Sequence, residues 1–129
     1  MKVIWVNGCF DVLHRGHIEL FRHAKSQGDF LVVGIDADQR IKSSKGINRP
    51  FNNLQDRKYV LESIKYIDRV VSFGSDKELT DWIKSIRPSV MIVGSDWQGK
   101  NVVGQEYADK VQFFARIGSH STTKILEGM

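Results

Sequence analysis

Five short, continuous apolar runs rich in β-branched residues recur along the chain: Val3 to Val6, Phe30 to Ile35, Val70 to Phe73, Val90 to Val93 and Val111 to Phe114. Runs of this length, without polar alternation, are strands buried on both faces, as in a parallel sheet held between layers of helix. The segments between them carry helical spacing. Leu79, Trp82, Ile83 and Ile86 fall at i, i+3, i+4 and i+7 and line one helix face. Ser75 and Glu78 have capping-box spacing ahead of them, and Pro88, which lacks the N–H a continuing helix needs, stops the helix. Val60, Leu61, Ile64 and Ile67 mark an earlier helix, while Leu20, Phe21 and Ala24 mark another, closed by Gly28 at C′.

The alternation predicts an α/β fold: a single Rossmann-like domain over residues 1–129, with a five-stranded parallel sheet and helices on both faces. A chain of 129 residues is long enough for one buried core, and no repeat, low-complexity tract or linker divides it. Nineteen basic against 15 acidic residues give a formal +4, which suits an anionic ligand. The basic residues are scattered among acids, with no RNP-type aromatic pattern or finger spacing, which argues against nucleic acid as a partner. One cysteine, Cys9, excludes an intramolecular disulfide and fits a reducing compartment. No stretch approaches the roughly 20 apolar residues of a membrane span, and the start of the chain has no leader-type apolar region. The expectation is a cytoplasmic protein with no membrane partner.

The segment from Asp36 to Asn53 has no clear period and contains Lys42, Lys45, Gly46, Arg49 and Pro50. It is read as a long basic loop, emerging where open α/β sheets bind ligands, beyond the carboxyl ends of the strands. The first strand runs into Asn7-Gly8-Cys9-Phe10-Asp11-Val12-Leu13-His14-Arg15-Gly16-His17, which opens a helix. Backbone N–H groups at such a helix start face an anion, and Gly8 and Gly16 would let a phosphate come close. The spacing is neither that of a P-loop nor that of a dinucleotide-binding loop. His14 and His17, three apart, share a helix face and can both donate to one phosphate chain. As zinc ligands they lack partners, since Cys9, His23 and His120 have no familiar metal-ligand spacing, and no metal site is expected. In isolation such histidines are more often solvated or core residues than ligands.

The run from Gly8 to His17 resembles the G-x-F-D-x-x-H-x-G-H signature of the cytidylyltransferase-like nucleotidyltransferases, and Ser121-Thr122-Thr123-Lys124-Ile125 resembles that family's second signature, I-S-T-T-K-I. The resemblance implies transfer of a nucleoside monophosphate from a nucleoside triphosphate to a phosphorylated acceptor, with release of pyrophosphate. The nucleophile is already an anion, so the site needs positioning and charge stabilisation rather than a general base. On this reading His14 and His17 contact the triphosphate, Lys45 and Arg57 reach phosphates of either substrate, and Ser121, Thr122 and Thr123 hold the β- and γ-phosphates. Gly8, Cys9, Phe10, Asp11, Gly16, Gly94, Asp96, Trp97 and Arg116 complete the nucleotide site, with Asp11 orienting its loop. Mg²⁺ is the implied cofactor, carried by the triphosphate. Relatives of this type are commonly homodimers.

Two subfamilies compete. Asp96-Trp97-Gln98-Gly99-Lys100 is similar to the D-W-E-G-K of glycerol-3-phosphate cytidylyltransferases, whereas Lys45-Gly46-Ile47-Asn48-Arg49-Pro50-Phe51-Asn52, with Arg57, is similar to the K-G-x-x-R-P-x-N run of heptose-1-phosphate adenylyltransferases. Gly74-Ser75-Asp76-Lys77 stands where the latter carry E-D-T-P, and Val93 where they usually carry lysine. The leading expectation is therefore CTP with glycerol 3-phosphate. ATP with a heptose 1-phosphate is the alternative, and a catalytically silent nucleotide-binding module is a third reading.

Overall fold

The computed structural model describes residues 1–115. Five parallel strands, β1 (Val3–Gly8), β2 (Phe30–Asp36), β3 (Arg69–Phe73), β4 (Val90–Gly94) and β5 (Lys110–Phe114), form one sheet in the order β3-β2-β1-β4-β5. The chain builds outward from β1 in one direction through β2 and β3, then returns to its other side with β4 and β5. The switch point thus falls between β1 and β4, beyond Gly8 and Gly94.

Each of the five predicted runs is a strand, and the pleat sorts their side chains into two cores. Ile4 and Val6 face one layer with Phe21, Leu31, Val33 and Leu61, under α1 (Arg15–Ser26) and α3 (Leu54–Glu62). Trp5, between them, faces the other layer with Phe73, Leu79, Ile83 and Met91, under α4 (Asp76–Ile86). Trp5 is fully buried. Gly34, on the neighbouring strand, provides the room: a Cβ there would lie 2.6 Å from the indole Cζ2.

Several boundaries differ from the sequence expectation. The stretch read as a loop contains α2 (Asp38–Lys45), of which only Ile41 is buried, so no apolar stripe announces it. The helix marked by Val60 to Ile67 ends at Glu62. Beyond it, successive turns carry Ile64 and Ile67 back to the core, with Ile64 N–H donating to Leu61 O and Ile67 N–H to Ile64 O. Val60 is exposed. Ser75 caps α4 by accepting the Glu78 N–H, but the Glu78 carboxylate accepts from Gly74 N–H rather than from Ser75. Gly28 does follow the C-cap of α1, and its reason for being glycine is contact: a Cβ would sit 2.7 Å from Lys2 O. Among the described residues no helix is long and apolar enough to cross a membrane.

Candidate active site

The site is assembled where β1, β2 and β4 end. His14 is the N-cap of α1, in extended backbone conformation, and its Nδ1 accepts the Gly16 N–H at 3.0 Å. Nδ1 of His17 in turn accepts the His14 N–H at 3.1 Å, so the two imidazoles make a reciprocal cap of the helix start. A nitrogen that accepts carries no hydrogen, which puts the ring proton of each histidine on Nε2. The ring centroids lie 4.0 Å apart. Two Nε2–H donors on one helix mouth, beside the positive end of its dipole, form an arrangement suited to a chain of phosphates.

Phe10 turns the loop. Its φ of 47° is left-handed and its ring is buried, edge-on to His17 at 5.7 Å and to Phe21 at 5.1 Å. A Cβ on Gly8 would meet that ring at 3.0 Å. The Cβ side of Gly8 is thus occupied by Phe10, and the Gly16 N–H is used by the cap.

Asp11 is buried and bonds the opposite wall. Its carboxylate accepts from Phe51 N–H at 2.6 Å and Asn52 N–H at 2.7 Å, its carbonyl accepts from the Asn52 side-chain amide at 2.8 Å, and Arg49 Nε lies 3.4 Å from Oδ2. These bonds tie the histidine loop to the 51–52 segment. Arg57 is placed otherwise than expected. Its guanidinium has no exposed surface, and it donates from Nε to Asn52 O, from Nη1 to Cys9 O and Asp36 O, and from Nη2 to Asp38. It ties the ends of β1 and β2 to the 49–53 loop and to α2, and no face of it is open to a phosphate.

Lys45, the last residue of α2, is exposed and holds Nζ 3.1 Å from Cys9 Sγ. It edges a cavity of about 390 Å³ also lined by Gly8, Cys9, Asp36, Gly94 and Trp97. Arg40, on the same wall, is bound between Asp36 and Asp76; burial pulls its pKa down, but these two acids hold it above the ordinary value. Asp96 folds its carboxylate over Gly94, where a Cβ would meet Oδ1 at 2.7 Å. Trp97 is half exposed, with Lys100 Nζ 5.9 Å from its ring centroid. Arg116, Ser121, Thr122 and Thr123 lie outside the described residues. Sequence reasoning missed Asp36 and Asp38 as acceptors and gave Asn52 only as the end of a familiar run, because their roles come from contacts distant in sequence.

A nucleotide-binding α/β domain with a histidine pair at the mouth of its first helix is what the fold and site define. The cytidylyltransferase-like family model matches residues 5–125, a span that includes both signature runs. The chain belongs to the cytidylyltransferase-like family and is a nucleotidyltransferase. It is 43% identical over 128 residues to the bifunctional protein HldE of Helicobacter hepaticus, covering 99% of this chain and 26% of that protein. To the bifunctional protein HldE of Aliarcobacter butzleri it is 41% identical over 126 residues, covering 98% and 26%. The chain therefore spans about a quarter of the length of these relatives. Among solved structures, the lipopolysaccharide core biosynthesis protein from Thermoplasma volcanium superposes with a TM-score of 0.71 at 23% identity, over 94% of this chain and 99% of that one. Pantothenate synthetase from Thermus thermophilus gives 0.69 at 13% identity, over 97% and 61%. At these identities the structures speak for the fold.

Proposed function

We propose that this protein transfers the adenylyl group of ATP to the phosphate of a heptose 1-phosphate, releasing pyrophosphate. The observation that carries the reading is the placement of the 45–52 run, the part of the chain that resembles heptose-1-phosphate adenylyltransferases. Asp11 binds its Phe51 and Asn52 amides, so the run is a wall of the site, in direct contact with the histidine loop. The HldE relatives, alike over nearly the whole chain, support the same choice over CTP and glycerol 3-phosphate. In favour of that rival stands Trp97, within a run like that of the glycerol enzymes and on the wall of the cavity.

In the reaction an acceptor phosphate oxygen forms a bond to the α-phosphorus, and the bond from that phosphorus to the bridging oxygen breaks, its electron pair leaving with pyrophosphate. No proton has to move. His14 and His17 donate Nε2–H to the triphosphate as charge shifts toward the leaving group, and Lys45 adds a cation at the cavity edge. Arg57 and Asp11 are positioning residues. Mg²⁺ would be carried by the triphosphate oxygens and water. Ser121, Thr122 and Thr123 are assigned to the β- and γ-phosphates on the strength of the second signature, and Arg116 to the nucleotide because some relatives carry a phosphate-binding arginine there. A cytoplasmic homodimer completes the reading, testable by sedimentation.

The test is pyrophosphate release with each nucleoside triphosphate against heptose 1-phosphate, glycerol 3-phosphate and other sugar and polyol phosphates. Release with ATP and the heptose phosphate is expected. Release only with CTP and glycerol 3-phosphate would overturn the substrate assignment, and no release with any pair would leave a silent nucleotide-binding module.

A further inference from the structure

Among the described residues one buried side-chain nitrogen or oxygen has no hydrogen-bond partner: Nη2 of Arg49. The side chain is 14% exposed and rests on Asp11, which is fully buried, but through Nε alone and at 3.4 Å. Asp11 is already served by two short backbone donors, Phe51 N–H and Asn52 N–H. The guanidinium is therefore held by its charge partner through Nε while Nη2 is left with hydrogen-bonding capacity to spare. The other arginines of this region are spent: Arg57 makes four hydrogen bonds to protein acceptors, and Arg40 bridges Asp36 and Asp76.

A buried cationic donor without an acceptor is costly, and native structures retain one where something outside the protein completes it. The surrounding segment is fixed in advance. Arg49 N–H donates to Gly46 O, and the Asn52 side chain and carbonyl are tied to Asp11 and Arg57. Such a guanidinium is preorganised, and its paired N–H groups match two oxygens of a tetrahedral anion.

We propose that Arg49 binds a phosphate group of one of the two substrates, through the edge that carries Nη2. The ligand chemistry is a phosphoryl oxygen pair, supplied either by the phosphomonoester of the acceptor or by the triphosphate of the nucleotide. This rests on the proposed reaction for the identity of those substrates, and its test does not depend on turnover.

The wild type, Arg49→Lys and Arg49→Met are titrated calorimetrically with ATP, with inorganic pyrophosphate and with a sugar 1-phosphate, and each is melted without ligand. Loss of a charge-assisted pair of bonds weakens binding of one probe class roughly 10- to 100-fold. Arg49→Lys, which keeps the charge, loses affinity too, while its ligand-free melting temperature stays near that of the wild type because Nη2 has no protein partner to lose. Weakening confined to the sugar phosphate places the group in the acceptor subsite, and weakening of ATP and pyrophosphate places it on the nucleotide. Affinities unchanged in both variants, or variants that only lower the ligand-free melting temperature, overturn the proposal, as does a wild type that binds none of the probes. Phosphate binding lost in the variants while the wild type releases no pyrophosphate with any pair would uphold Arg49 and sink the proposed reaction alone.

Discussion

The backbone N–H of His14 donates to Nδ1 of His17, so each histidine of the pair helps set the ring proton of the site and the start of α1 at once. The two roles can be separated. Asparagine at position 14 keeps an acceptor near the place of Nδ1 and caps well, but has nothing in place of Nε2–H. His14→Asn should melt close to the wild type while losing turnover about 100-fold or more, the scale of a lost donor to developing charge. His14→Ala should lose turnover similarly and about 1 kcal/mol of stability besides. Near-normal pyrophosphate release by either variant would refute the catalytic role.

Arg57→Ala removes a buried guanidinium and leaves three carbonyls and the Asp38 carboxylate without their donor. A loss of about 3–5 kcal/mol is expected in urea unfolding, the range for breaking a buried charged network. A loss below about 1 kcal/mol would mean that the bracing described for this residue is energetically idle.

Asp68 receives Lys25 Nζ at 2.6 Å and the Leu31 N–H at 2.7 Å. Burial pushes its pKa up, but the hydrogen bonds and charge of these partners outweigh that and hold it below the ordinary aspartate value. The folded pKa lies under the unfolded one, so the contribution is fully present above the unfolded value and is lost as pH falls through the folded one. The stability gap between wild type and Asp68→Asn should therefore be widest near neutral pH and narrow in acid. A gap that does not change with pH would contradict the assignment.

Gly34→Ala would drive a Cβ to within 2.6 Å of a Trp5 ring that has no exposed surface to move into. A cost of about 1–3 kcal/mol is expected, read from the denaturation midpoint. A neutral result would show that the sheet can part at β1 and β2 without penalty.

How far the sequence was legible follows from how local each determinant is. β1, β2 and β4 announced themselves because burial on both faces demands nearly unbroken apolar runs, β3 and β5 were readable from the apolar residues around Ser72 and Gln112, and α4 was readable because a single buried stripe repeats along it. α2 was silent, with Ile41 as its one buried residue, and the end of α3 was misjudged because consecutive turns returned Ile64 and Ile67 to the core at helix-like intervals. In the site, the histidine pair at the start of α1 was readable from one loop, whereas the partners of Asp11, Phe51 and Asn52, lie some 40 residues away. The burial of Arg57 was not, because its acceptors come from Cys9, Asp36, Asp38 and Asn52, brought together only by the fold. Resemblance assigned the arginine to substrate phosphates and could not tell that its guanidinium is buried on protein acceptors.

The central place of β1 also governs when this site can exist. Ile4 pairs with Leu31 on one side and with Val90 on the other, so the strand bearing the histidine loop must wait for most of the described chain before its second edge is satisfied. Contacts so distant in sequence slow folding, and until β4 arrives one edge of β1 is an open template for another strand. In a newly made chain the histidine loop at the end of β1 is therefore among the late structures to be framed, and any ligand that bound only the folded chain across the ends of β1 and β4 would act as a fastener on the fold.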